Sequence, residues 1–198
     1  FPLTYFSFVA AGQLKNSFEN RWYGKTWESY MCLIVYISGN FIHIPITLLK
    51  EGKVSYRIQM LTHHGISIYA YSFALYNQET LYYSCLSACC ELSTIFLNQS
   101  FLLKEYTKSP LILAINGILL WLSFIFLRLI LFPYVIYNYY NDYCNLLDKS
   151  NHVFIFYVNI IVMNILILLS LYWMKNVTRG MIKVTTILLK EYKLIKKD

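Results

Sequence analysis

Leu111-Ile-Leu-Ala-Ile-Asn-Gly-Ile-Leu-Leu-Trp-Leu-Ser-Phe-Ile-Phe-Leu127 decides the fold, because it contains no charged residue. Extended to Phe132 it takes in one ion, Arg128, and is long enough to cross ~30 Å of hydrocarbon as a helix. Four further stretches have the same character: Tyr30–Leu49, Ile58–Tyr76, Leu81–Leu103 and Val153–Met174. Phe1–Ala11 is apolar but too short to cross, and reads as a partial N-terminal span. None of these runs alternates apolar and polar residues, as the strands of a membrane barrel do. The expected fold class is therefore all-α, a multi-pass transmembrane helix bundle of five full spans plus a partial one. Composition agrees. Hydrophobic residues make up 58% of the 198 and charged residues 14%, where soluble domains average about half and a quarter.

The stretches between the runs are Lys50–Arg57, Asn77–Thr80, Lys104–Pro110 and Pro133–His152, and only the last, rich in Tyr and Asn, has any size. With five crossings they fall on alternating sides. One side collects Lys50, Lys53, Arg57, Lys104 and Lys108, and also Lys175, Arg179, Lys183, Lys190, Lys193, Lys196 and Lys197; the other holds Lys15, Arg21, Lys25 and Lys149. The positive-inside rule places the richer side, and the C-terminus, in the cytosol. The net charge of +7 is thus spent at membrane boundaries. Its bases form no stripe interleaved with exposed aromatics, so nucleic acid is not an expected partner; anionic lipid headgroups are. Two sequons, Asn98-Gln-Ser100 and Asn176-Val-Thr178, fall inside a span and on the cytosolic side, where neither should carry sugar.

Five cysteines without CxxC spacing point to small hydrophobes in packing rather than to zinc or a disulfide framework. Tyrosines clustered past a span, Tyr134 to Tyr140, suit interfacial anchoring. No cleavable signal peptide is expected, and the chain opens on Phe1, which leaves room for residues upstream. The tail after Met174 mixes Leu and Ile with lysines, as a continued helix or a surface-lying one would, and ends in Lys196-Lys197, one place off a dilysine retrieval signal.

Ionisable groups inside spans are costly and usually face the bundle interior. Here they are His43, His63, His64, Glu91 and Arg128. At ~1.5 Å of rise per residue the three histidines share one depth near the cytosolic boundary, and Glu91 lies near the midplane, within reach of Arg128. Three readings of this set stay open. Glu91 and Arg128 form a structural ion pair. Or His63, Ser67, Glu91, Ser93, Thr94, Asn98 and Arg128 line a polar chamber that takes a lipid, with His63 and His64 as candidate catalytic bases. Or the histidines bind a metal, which the ~100° between His63 and His64 on a helix disfavours; no metal is expected.

The order of motifs adds a resemblance. Ile37-Ser-Gly-Asn-Phe-Ile42 is followed by Thr62-His-His64, Tyr69-Ala-Tyr71, Glu91-Leu-Ser-Thr-Ile-Phe-Leu-Asn98, Arg128 with Phe132-Pro133, and Leu171-Tyr-Trp-Met174. The series resembles the TLC domain family, the membrane domain of ceramide synthases and translocating-chain-associating membrane protein, and most resembles the TLC domain-containing protein 4 branch. It runs from about Phe6 to Leu189, giving a TLC-type domain over 1–190 and a basic cytosolic tail over 191–198. The resemblance implies a helical bundle of the endoplasmic reticulum and a role in lipid homeostasis and membrane lipid composition. In ceramide synthases paired histidines serve acyl transfer from acyl-CoA, and they correspond to His63 and His64 here. The synthases' following His-Asp pair is Glu91-Leu92 in this chain, and their Gly-Tyr-x-x-x-Asp is Gly39-Asn40-Phe-Ile-His43-Ile44. Lipid binding in the chamber is thus the leading expectation. An acyl-CoA-dependent acyltransferase, with acyl-CoA docked at Lys50, Lys53 and Arg57, is the alternative, and whether the chain is an enzyme stays open. No other cofactor is expected.

Overall fold

The computed structural model describes residues 2–49, 54–106 and 109–195. Among them there is no strand. The helices are α1 (Pro2–Leu14), α2 (Phe18–Tyr23), α3 (Trp27–Leu49), α4 (Val54–Asn77), α5 (Leu81–Ala88), a 3-10 turn at Cys89–Glu91, α6 (Leu92–Tyr106), α7 (Pro110–Phe124), a π-helical segment at Ile125–Leu131, α8 (Phe132–Asn145) and α9 (Lys149–Ile195). Lys50 and Lys53, the expected acyl-CoA contacts, and Lys108, Lys196 and Lys197 lie outside the described residues.

Local chemistry sets the helix ends. Thr26 and Ser29 exchange side-chain to backbone hydrogen bonds of 3.1 Å at the start of α3, the reciprocal capping pattern. Ser17 caps α2 by accepting from the Asn20 N–H. Pro110, the first residue of α7, loses nothing by lacking an N–H. The α4–α5 connector is tight: Gln78 and Thr80 both take positive φ, 56° and 60°, a strained conformation for a β-branched residue. A 2.7 Å bond from the Thr80 N–H to the Trp22 carbonyl holds it. Gly24 closes α2 against α1. A Cβ there would sit 2.2 Å from the Asn20 carbonyl oxygen and 2.7 Å from Leu14 Cδ2.

Among the described residues four helices are long and apolar enough to cross a membrane: Trp27–Leu49, Leu81–Tyr106, Pro110–Asn145 and Lys149–Lys190. Helix α4 is long enough, but its polar residues keep it out of this set, so five crossings exceed what length and hydropathy support. One reading is corrected. Pro133–His152 is largely helix α8 rather than a connector, and it buries Val135, Tyr139 and Asp142. The described part of the expected partial span lies in helix α1, which buries Ala10 and Leu14.

The chain divides into two compact units, one of Phe1–Cys89 with Pro133–Leu169, the other of Cys90–Phe132 with Ser170–Asp198. In the first, α1, α3, α4 and α5 share a core of Ala10, Cys32, Leu33, Tyr36, Tyr71, Ala74, Leu81, Cys85 and Ala88. Small residues on α5 let helices approach closely, and among the described residues no disulfide forms. In the second, α6 and α7 pack together, with Asn116 donating to the Phe96 carbonyl at 3.1 Å and Ser100 Oγ at 2.7 Å.

Candidate functional site

The expected chamber residues divide between the units. His63, His64 and Ser67 belong to the first; Glu91, Ser93, Thr94, Asn98 and Arg128 belong to the second.

In the first unit α3 and α4 pack face to face, and His63, His64 and Ser67 are all buried. Asn40 on α3 spends its amide N–H on the Tyr36 carbonyl at 2.8 Å. Its Oδ1 therefore faces His64 Nδ1 at 2.6 Å and requires a proton on that nitrogen. In the neutral ring the lone pair then sits on Nε2. The His43 ring stacks on His64 at 5.6 Å, and His63 lies at 5.4 Å. Tyr36 Oη donates to Ser67 Oγ at 3.4 Å. Among the described residues no group of three or more His, Cys, Asp or Glu is placed to hold a metal ion.

In the second unit both ionisable residues sit on irregular helix. Glu91 ends the 3-10 turn and Arg128 lies in the middle of the π segment. Arg128 Nη2 meets Glu91 Oε1 at 2.9 Å, and Arg128 Nε donates to Ser93 Oγ at 3.1 Å. Thr94 Oγ1 donates to Glu91 Oε2 at 2.6 Å and accepts from Arg128 Nη2 at 3.3 Å. The guanidinium also lies over the rings of Phe124 and Trp173, at 5.4 and 5.9 Å, where cation–π attraction adds to the pairing. The wider π winding releases carbonyls from the usual ladder, and that of Leu127 accepts from Cys90 Sγ at 2.9 Å. The structure thus forms the Glu91–Arg128 pair that sequence depth suggested and adds Ser93 and Thr94 to it. Asn98 is not part of it and lies exposed on α6.

Sequence reasoning missed a third polar array, in the first unit. Arg21 grips Asp142 with two bonds of 2.6 and 2.7 Å, and Tyr83 Oη donates to the same carboxylate. Asp142 holds the Arg21 pKa above its ordinary value, against the lowering effect of partial burial. Trp22, fully buried, stacks on Tyr139 at 5.2 Å. Beside it His152 joins Glu79 through Nδ1 at 2.9 Å and Tyr23 through Nε2 at 3.0 Å. Burial raises the Tyr23 pKa, helped by Glu79 and Asp148. The phenol therefore keeps its proton and donates to Nε2, and Nδ1–H points at Glu79. Arg21 and Asp142 stand 121 residues apart, and no local spacing announces such a pair.

Long apolar helices carrying buried, mutually bonded polar groups define an integral membrane protein of all-helical fold. The chain belongs to the TLC domain family, whose model matches residues 2–179. No curated protein and no solved structure matches it.

Proposed function

We propose that this TLC-domain protein acts in lipid homeostasis by binding a lipid in an intramembrane polar chamber of the second unit, to which Glu91, Ser93, Thr94 and Arg128 contribute. The observation that carries the reading is the Glu91–Arg128 pair, held with Ser93 and Thr94 between helices of membrane-spanning character. Ionisable groups at such depth are expensive and usually functional, and a fixed cation and anion with hydroxyls beside them suit a polar lipid headgroup. The reading extends, as a separate polar cluster of the first unit, to the buried His63, His64 and Ser67 on α4. They also support a fifth crossing by α4, because a polar helix crosses when its polar residues turn inward. The reading extends to an endoplasmic reticulum location, a cytosolic C-terminus, a partial N-terminal span in α1 and kinship with the TLC domain-containing protein 4 branch.

The test has two arms. Native mass spectrometry of the full chain in mild detergent should show a lipid retained in stoichiometric amount, and Glu91→Gln should lose it. Cells carrying His63→Ala or Glu91→Gln at normal expression should show an altered membrane lipid composition. No retained lipid together with an unchanged lipidome defeats the proposal.

A further inference from the structure

Two surfaces of the second unit make opposite demands at the same level. Trp121 Nε1 on α7 donates to Thr178 Oγ1 on α9 at 3.1 Å, and Arg128 lies against Trp173. Position rises along one helix as it falls along the other, so α9 runs antiparallel beside α7. At ~1.5 Å per residue on both helices, Lys183 is roughly level with Asn116 and Lys190 with Ser109. Through this stretch α7 exposes Leu111, Ile112, Ile115, Ile118, Leu119 and Leu122, a surface that requires hydrocarbon. Beside it α9 exposes Lys175, Arg179, Lys183 and Lys190.

Steps of four, four and seven residues put these bases on one helix face. The half-buried Val177, Met181, Val184 and Leu188 occupy the opposite one. No Asp or Glu lies between Lys175 and Lys190. The stripe therefore does not lie wholly beyond the span, where bases merely set orientation; it descends beside apolar surface. Cations at that depth draw anionic groups and water inward.

We propose that the Lys175–Arg179–Lys183–Lys190 stripe is a binding surface for anionic phospholipid, with phosphates seated along the stripe and acyl chains covering the exposed leucines and isoleucines of α7. A row of cations without an intervening acid gives the ammonium of a zwitterionic headgroup no partner, so the stripe selects headgroups of net negative charge. Exposed Ile182 and Leu189 beside the bases supply apolar edges for the chains. The inference rests on the membrane reading but not on the chamber.

The full chain, reconstituted in phosphatidylcholine bilayers, is probed by electron paramagnetic resonance with spin-labelled phosphatidylserine or phosphatidylcholine. The protein-immobilised fraction should favour phosphatidylserine roughly fivefold or more at low salt. Replacing Lys175, Arg179, Lys183 and Lys190 by Gln should bring the ratio close to one. Removing the same number of charges elsewhere, by Lys15→Gln, Lys25→Gln, Lys104→Gln and Lys149→Gln, should leave it high. The milder pair Lys183→Gln and Lys190→Gln should give an intermediate ratio and serves if the fourfold variant fails to reconstitute. A wild-type ratio near one, an undiminished ratio in the stripe variants, or an equal loss in the control set overturns the proposal. None of these outcomes touches Glu91, so the chamber stands or falls separately.

Discussion

At the scale of single residues, the chain's stability hangs on a few buried polar pairs. Removing one member of a buried ion pair leaves an uncompensated charge, at a cost of about 3–5 kcal/mol, whereas removing both is far milder. Arg128→Leu should therefore lower the thermal midpoint of the detergent-solubilised protein sharply, and Arg128→Leu with Glu91→Leu should recover much of the loss. Circular dichroism melts of the two singles and the double test this coupling; additive losses contradict it. Asn40→Ala removes the acceptor of a buried ring N–H on His64 and should cost about 1–3 kcal/mol. Asn40→Asp, which keeps the acceptor, should be tolerated better. Gly24→Ala forces a methyl onto the Asn20 carbonyl and should cost about 1–3 kcal/mol, visible in the same melts. That Glu91 and Arg128 could meet was legible because counting residues along mostly α-helical runs places the two at overlapping heights. Asn40 was not, since its role depends on which α4 residue packs opposite it.

At the scale of elements, the π segment does the positioning. Each α-helical residue turns the chain by ~100° and each π-helical residue by less, so the segment sets the bearing from which Arg128 meets Ser93 and Glu91. Deleting Ile125 should return the helix to α winding, swing Arg128 away and reproduce the destabilisation of Arg128→Leu. Adding Glu91→Leu to the deletion should then recover stability, as it does with Arg128→Leu; a further loss in the melts would show that the pair had survived. Nothing in Ile125–Leu131 marks it as π-helical to a sequence reader, because its apolar residues suit either winding. Helix α8 was obscured for a related reason. Its Tyr and Asn residues read as a loop, yet one face of it packs Val135, Tyr139 and Asp142 inward, and packing outweighs weak propensity.

At the scale of the whole molecule, the proposed topology makes a direct prediction. Asn98 and Asn176 should carry no sugar in a eukaryotic membrane, so treatment with a glycosidase should leave the electrophoretic mobility unchanged; a shift would reverse the orientation or the span count. The Arg21–Asp142–Tyr83 array ties α2, α5 and α8 together within the first unit. Its Arg21 pKa is raised, so the stabilisation is present below the unfolded value and would be lost only as pH rises beyond the folded one, above any working range. Stability from Arg21 ionisation should stay flat from neutral to moderately alkaline pH, whereas Asp142→Asn should lower the melting temperature at every pH in that interval.

Hydrophobic run length, charge placement and motif order are properties of the chain read in one dimension, and they determined the class: a helical membrane protein of the TLC domain family with scarce ionisable groups in its spans. Tertiary structure alone decided which distant side chains meet. Arg21 with Asp142, Asn40 with His64 and Trp121 with Thr178 depend on helix register and facing, and a helix's own sequence does not specify which partner surface it will bury against.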